Sequence, residues 1–143
     1  MKKIYIASDH AGFNLKESIK KKFSSKFEVL DLGPKHSKKS VNYPDYAHKL
    51  SKKIKKENIG ILVCGSGMGM AMTANKHKGV RAAICWSEEI AELAREHNDA
   101  NIISIPSRFL SEEKIINIVE AFIKTDFEGG RHKRRIEKID GND

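Results

Sequence analysis

Cys64 ends an apolar run and is followed by three alternating glycines, in the segment ILVCGSGMGMAMTANK (61–76). Gly65, Gly67 and Gly69 let the backbone approach a ligand, so that its N–H groups can hold an anion or a developing oxyanion. The same groups, at the start of a predicted helix, lower the pKa of a nearby thiol. We therefore predict a Cys64 thiolate near neutral pH, acting as a nucleophile or as a base on carbon.

Other glycine loops fit this segment less well. A dinucleotide loop has the spacing GxGxxG after a first strand, whereas this chain has GxGxG after its third predicted strand. A P-loop requires Gly-Lys-Ser/Thr, which does not follow here. A cysteine phosphatase loop needs an arginine six positions after the cysteine, where the sequence has Met70. A buried structural cysteine is the alternative role for Cys64, but the adjacent glycines favour chemistry.

Acidic, imidazole and guanidinium side chains form further candidate groups. Asp9 and His10 follow the first apolar run, where either can also cap the next helix. His97 occupies a helix position where an apolar residue is due, which is typical of a core histidine. Arg131 and Arg135 lie one turn apart in GGRHKRR (129–135). Two like charges at this spacing are merely tolerated in a free helix, whereas a pair that binds an anion would give this spacing a function.

The methionines and the metal-ligating residue types offer less. Met68, Met70 and Met72 are predicted to pack in the core. The six histidines and two cysteines show no tight ligand spacing, so we predict no metal site.

The elements that must position these groups alternate between strand and helix. The apolar runs predict strands over 4–7, 27–32, 59–64, 80–85 and 102–105, with helical periodicity between most of them. This order predicts an α/β fold of three layers: a Rossmann-like, five-stranded parallel sheet with helices on both faces. We expect one domain over 1–143, ending in a basic helix at about 129–139. Ligands then bind beyond the carboxyl ends of the strands, where Asp9, His10 and Cys64 lie.

Composition narrows the class of protein. The net charge of +8 comes from 27 lysines and arginines, of which only six are arginine, and the lysine runs lack interleaved aromatic residues. A solvated surface is therefore favoured over nucleic-acid binding. No apolar run has the length of a membrane span or the character of a signal peptide. We expect a cytoplasmic protein in which Cys64 and Cys85 are free thiols.

Six motifs in this order resemble the type B ribose-5-phosphate isomerases, in the sugar-phosphate isomerase family that also holds galactose-6-phosphate isomerase. They are ASDHAG (7–12), NYPDYA (42–47), CGSGMGMAMTANK (64–76), HNDAN (97–101), SR (107–108) and GGRHKRR (129–135). The resemblance implies a parallel-sheet α/β enzyme without metal or organic cofactor. It also implies a homodimer, or a dimer of dimers, that interconverts ribose 5-phosphate and ribulose 5-phosphate.

The resemblance also assigns roles to residues. It implies that Cys64 moves the proton between C2 and C1, while Ser66 and the loop 65–69 hold the enediolate. His97 and Asp9 would open the furanose ring. The remaining substrate-binding positions are His10, Tyr43, Gly65, Gly67, Met68, Gly69, Asn98, Arg108, Arg131 and Arg135.

Topology places His97 away from Cys64. The helix after the fourth strand descends from the carboxyl edge of the sheet for about ten residues, or roughly 15 Å, before it reaches His97. A site using both residues must therefore be shared between two chains, whereas a core role for His97 leaves the site within one chain. An aldohexose-6-phosphate isomerase, for allose or galactose 6-phosphate, and a non-catalytic phosphosugar-binding module remain alternatives.

Overall fold

The sheet and its covering helices follow the predicted alternation. The structure is a computed structural model that describes residues 2–141. Its strands are β1 (Lys3–Ser8), β2 (Glu28–Asp31), β3 (Ile59–Cys64), β4 (Ala82–Ile84) and β5 (Ile102–Pro106). The helices are α1 (Phe13–Phe23), α2 (Tyr43–Ser51), α3 (Met68–Ala74), α4 (Glu88–Asn98), α5 (Glu112–Lys124) and α6 (Arg131–Ile136), and a short 3₁₀ turn spans Ser107–Phe109.

The five strands form a parallel sheet in the order β2-β1-β3-β5-β4. The central strand β3 is buried along its whole length, as a strand covered on both faces must be. Its register pairs Val63 with Ser8 of β1 and Cys64 with Pro106 of β5. The residues that follow these three strands therefore emerge side by side at the carboxyl edge of the sheet.

Two apolar layers, one on each face, hold the sheet between helices. On one face, β-branched residues such as Ile61 and Ile105 pack against α1, α4 and α5. On the other face, Leu62 and Cys64 pack with residues of α2 and α3, among them Met70. This arrangement confirms the predicted three-layer α/β fold.

The methionine series was only partly predicted. Met70 is fully buried, but Met68 and Met72 are 55% and 67% exposed. The prediction that all three pack in the core is wrong for these two, because helix α3 turns only one side toward the sheet. None of the helices over residues 2–141 has the length and apolar character that a membrane crossing needs.

Cys85 lies in one of these apolar layers, and its thiol allows burial in the core to be tested. Its side chain is completely buried, and burial raises the pKa of its thiol to about 12. An unfolded thiol ionises near pH 8.5, so the folded state holds a proton that the unfolded state loses above that pH. The contribution of Cys85 to stability is therefore complete below about pH 8.5, and is lost as the pH rises from there toward 12.

We expect this loss to appear as a difference between the native chain and Cys85→Ala. The free-energy advantage of the native chain should shrink by about 1.4 kcal/mol for each pH unit above 9, as the unfolded thiol ionises. Urea unfolding of both proteins at pH 8, 9 and 10 measures it. A difference that stays constant with pH would show that the folded thiol ionises normally.

Candidate active site

Cys64 lies beneath a loop whose backbone N–H groups face its sulfur. The Gly67 N–H donates to Cys64 Sγ over 3.1 Å, and the N–H groups of Met70 and Ser66 also act on the thiol. Gly67 has a φ of 77°, a left-handed conformation that favours glycine and turns the chain into α3. The predicted juxtaposition of a thiol and a loop of amide donors is therefore present.

The predicted ionisation of Cys64 is wrong for a single chain. Burial, the largest cause, and the negative charge of Asp9 raise the pKa of the thiol above its ordinary value. The amide donors of Met70, Gly67 and Ser66 oppose this shift but do not outweigh it. The field of the loop alone favours the thiolate, but the depth at which the folded chain buries the thiol has the larger effect on its pKa.

The groups that follow β1 lie beside the same loop. The Asp9 N–H donates to the Val63 carbonyl over 3.1 Å, which sets Asp9 next to the end of β3. Asp9 Oδ1 accepts a hydrogen bond of 2.7 Å from the Gly12 N–H, so this carboxylate also caps the turn before α1. His10 Nδ1 accepts from the Val41 N–H over 3.3 Å, which ties it to the segment leading into α2.

Two larger side chains cover the loop. The ring of Tyr43 lies directly over Gly69, where any Cβ would collide with it. The Arg108 N–H donates to the Gly65 carbonyl over 3.1 Å, and the Arg108 side chain crosses Gly65, within 3.2 Å of where a Cβ would stand. The structure thus brings together at the carboxyl edge a set we call the thiol cluster: Asp9, His10, Tyr43, Cys64, Ser66, the loop 65–69 and Arg108.

Three of the other predicted residues, His97, Arg131 and Arg135, lie together elsewhere. We call His97 with its neighbours Glu128 and His132 the histidine cluster, and Arg131 and Arg135 lie beside it on α6. The rings of His97 and His132 stack with centroids 4.4 Å apart and planes 17° from parallel. Glu128 Oε2 lies 4.0 Å from His97 Nε2, and Glu128 Oε1 lies 3.8 Å from His132 Nε2. His97 is 39% exposed, so it is not the core residue that its helix position suggested.

The histidine cluster belongs to the opposite edge of the sheet. Asn98 is the last residue of α4 and Asp99 follows it. Their carbonyls accept hydrogen bonds of 3.0 Å from Arg81 Nε, just before β4 begins. The carboxyl edge, with Cys64, is at the far end of these strands. Within one chain, His97 and Asn98 therefore do not join the thiol cluster.

Glu128 and His132 were not among the predicted site residues. Glu128 is 31 positions after His97, and Gly129 and Gly130, both with positive φ, turn the chain so that the start of α6 reaches α4. The glycine pair before the basic helix is the one sequence signal of this approach. The helix α6 itself is shorter than the predicted 129–139.

The histidine cluster contains metal-ligating residue types, with one ligand atom from each of its three members lying within 4.8 Å of the others. The two rings are stacked with a carboxylate beside them, so the same three groups can also exchange protons and hold one another in place.

The fold and the thiol cluster together define a class of protein: a parallel α/β domain with a cysteine and a loop of backbone N–H donors at the carboxyl edge of its sheet. A family model described as Ribose/Galactose Isomerase matches residues 4–139. The chain belongs to this family.

Individual relatives agree over nearly the whole length. The probable ribose-5-phosphate isomerase B of Mycoplasma genitalium is 49% identical over 140 residues, which cover 95% of this chain and 92% of the relative. The crystal structure of a ribose 5-phosphate isomerase from Thermotoga maritima gives a TM-score of 0.94 at 48% identity, with 99% of each chain covered. The Mycoplasma genitalium enzyme with bound ribulose-5-phosphate gives a TM-score of 0.90 at 47% identity, covering 96% of this chain and 93% of that one.

Proposed function

We propose that this chain is an aldose-ketose isomerase that interconverts ribose 5-phosphate and ribulose 5-phosphate, working as a single domain without metal or organic cofactor. The observation that carries the proposal is the thiol of Cys64 beneath the amide donors of its loop, in a chain 47% identical to an enzyme solved with ribulose-5-phosphate. A base on carbon beside an oxyanion-holding loop is what an enediolate mechanism requires.

The reaction begins with opening of the furanose ring. A base takes the proton of the anomeric O1 hydroxyl while an acid gives a proton to the ring oxygen O4. The C1–O4 bond then breaks and the C1 carbonyl forms. We assign these proton transfers to His97 and Asp9, since an imidazole can give and take protons near neutral pH. The open aldehyde makes the C2 proton acidic, which the closed ring does not.

Proton transfer between C2 and C1 then falls to Cys64. As thiolate, it takes the C2 proton, and the electron pair forms the C1–C2 double bond of an enediolate whose charge moves to O1. The backbone N–H groups of 65–69, with the Ser66 hydroxyl, would hold that charge. Return of the proton to C1, with transfer of the O2 proton, gives the ketose. The thiol must be reduced, which supports a cytoplasmic location; Cys85 is also a free thiol.

The two clusters imply that the working unit is a homodimer with shared sites. Cys64 and His97 lie at opposite edges of one chain, so a site with both needs a second copy. Several large apolar side chains are exposed near the carboxyl edge, where a partner would cover them: Tyr43 (42%), Met68 (55%), Trp86 (54%) and Phe109 (74%). Their exposure supports contact between two copies at this edge.

The substrate phosphate would be held by side chains that can donate hydrogen bonds, from the thiol cluster and from α6. His10 and Arg108 lie in the thiol cluster, while Arg131 and Arg135 stand one turn apart on α6, beside the histidine cluster. Guanidinium groups bind phosphate through paired, charge-assisted hydrogen bonds. Tyr43 and Asn98 are then left to contact the sugar.

The function is tested by assaying purified protein with ribose 5-phosphate after exhaustive treatment with a chelator. We expect full isomerase activity, because proton transfer by Cys64 and charge stabilisation by N–H groups need no metal. Activity that disappears with the chelator and returns with a divalent ion would contradict the metal-free mechanism. Binding without turnover would instead indicate a phosphosugar-binding module.

Allose 6-phosphate and galactose 6-phosphate serve as comparison substrates, since the matched family includes galactose isomerases. We expect a higher kcat/KM for ribose 5-phosphate, because the chain carries the complete motif set of the type B pentose enzymes. A preference for either hexose phosphate would move the assignment to the aldohexose branch.

A further inference from the structure

Glu128 faces two stacked imidazole rings and has no part in the proton transfers proposed above. Its carboxylate oxygens reach toward His97 Nε2 and His132 Nε2, at 4.0 and 3.8 Å. These distances are ion-pair range, somewhat longer than hydrogen bonds. The backbone N–H of Glu128 donates to the Glu96 carbonyl over 3.0 Å, which anchors the residue against α4.

His132 supplies a second observation. It is 7% exposed at its side chain, and its buried Nε2 has no hydrogen-bond partner among the described residues. The stacked ring of His97 covers one of its faces. This buried ring nitrogen faces a carboxylate that lies just beyond hydrogen-bond range. A movement of a few tenths of an ångström by either group would form the hydrogen bond that the nitrogen lacks.

The charges around His132 explain what the carboxylate would do. Burial first, and then the positive charges of His97, Arg131 and Arg135, lower the pKa of His132, whereas the charge of Glu128 raises it. The carboxylate of Glu128 is the negative group that faces both rings, and it offsets the arginines.

We propose that Glu128 is a positioning residue for ring opening: it holds the His97 imidazole against His132 and stabilises the imidazolium that forms as His97 carries a proton. This role rests on the proposed function. It implies that loss of Glu128 slows ring opening without slowing proton transfer on carbon. Glu128 contacts His97, so its effect reaches the substrate only through that ring. Cys64 is in the other cluster and does not depend on it.

The chemistry of the two substrates allows these steps to be measured apart. Ribose 5-phosphate closes to a furanose through its C4 hydroxyl. Ribulose 5-phosphate stays open, because its carbonyl is at C2 and the oxygen that would close a five-membered ring carries the phosphate. Exchange of a C1 proton of ribulose 5-phosphate with solvent deuterium therefore needs the carbon base but no ring opening.

The test compares Glu128→Gln with the native dimer and with Glu92→Gln, which removes an exposed carboxylate from α4 away from the cluster. In Glu128→Gln we expect isomerisation of ribose 5-phosphate to fall about tenfold in kcat, a part of the 10²–10⁴ that an acid–base group contributes. Exchange into ribulose 5-phosphate should stay within about twofold of native. Glu128→Asp should recover part of the loss, and Glu92→Gln should behave as native.

Equal losses in both assays would show that Glu128 only supports the fold, and no loss in either would also overturn the proposal. A second measurement does not depend on turnover, so it tests the role of Glu128 even if the proposed function is wrong. The stacked His132 ring shifts the Cε1 proton resonance of His97 in NMR spectra, and this shift should shrink in Glu128→Gln but not in Glu92→Gln. An unchanged shift in Glu128→Gln would mean that the carboxylate does not hold the ring, whether or not the native protein is active.

Discussion

Cys64→Ala will exchange the C2 proton of ribose 5-phosphate with solvent deuterium at least about 10²-fold more slowly than the native protein, by the usual contribution of a general base. Alanine removes the sulfur that the Gly67 N–H contacts and leaves the loop without a group that can accept a proton from carbon. Binding of ribose 5-phosphate should survive, because the residues assigned to the phosphate are unchanged. Exchange is followed by NMR, and binding by calorimetry.

Cys85→Ala is the matched control for this substitution. It also removes a buried thiol, but from the apolar layer on the other face of the sheet, so exchange should continue at nearly the native rate. The raised pKa of Cys64 adds a second expectation for the native protein. Its kcat/KM should increase with pH from 7 to 9 as the thiolate fraction grows. A Cys64→Ala protein that exchanges normally would place the base elsewhere.

Mixing two inactive variants will restore activity if each site draws on two chains. Cys64→Ala and His97→Ala should each be nearly inactive in isomerising ribose 5-phosphate. After unfolding and refolding together in equal amounts, half of the dimers contain one chain of each kind. Each such dimer has one intact site of two, so about a quarter of native activity should return. A coupled assay for ribulose 5-phosphate measures the recovery.

The control for mixing is refolding of each variant alone, which should return no activity. Subunit exchange must be shown separately, for example by native mass spectrometry of an isotope-labelled partner. A mixture that contains mixed dimers and still has no activity would show that the site is complete within one chain. In that case His97 would have to act elsewhere than beside Cys64.

The sheet could be predicted well because its central strands β1, β3 and β5 are short, largely buried runs rich in β-branched residues, although the edge strands β2 and β4 are only partly buried. β3 occupies the predicted range 59–64, and the limits of the other strands differ from the predicted ones by at most two residues. The largest difference is in β4, where Val80 is buried but lies in a turn, its N–H bonded to the His77 carbonyl. A buried turn is as apolar as a buried strand, so hydrophobicity alone predicts a strand that is too long.

The residues of the site were predicted better than the environment that the folded chain gives them. The cysteine and its glycines are local in sequence, and local spacing suffices to predict a thiol beneath amide donors. The pKa of Cys64 depends on how deeply the folded chain buries it and on the nearby Asp9, which precedes it by 55 positions. The approach of Glu128 to His97 likewise depends on how the chain turns after α5, and no periodicity encodes that.

The separation of the thiol cluster from the histidine cluster has a consequence for inheritance. In the proposed homodimer with shared sites, a chain that lacks both Cys64 and His97 would inactivate both sites of any dimer it joins, since each site would receive one defective half. In a cell that makes equal amounts of native and doubly defective chains, only the quarter of dimers built from two native chains would work, although half of the chains are sound. Such an allele would interfere with the native chains, whereas an allele that loses either residue alone leaves one working site in every mixed dimer.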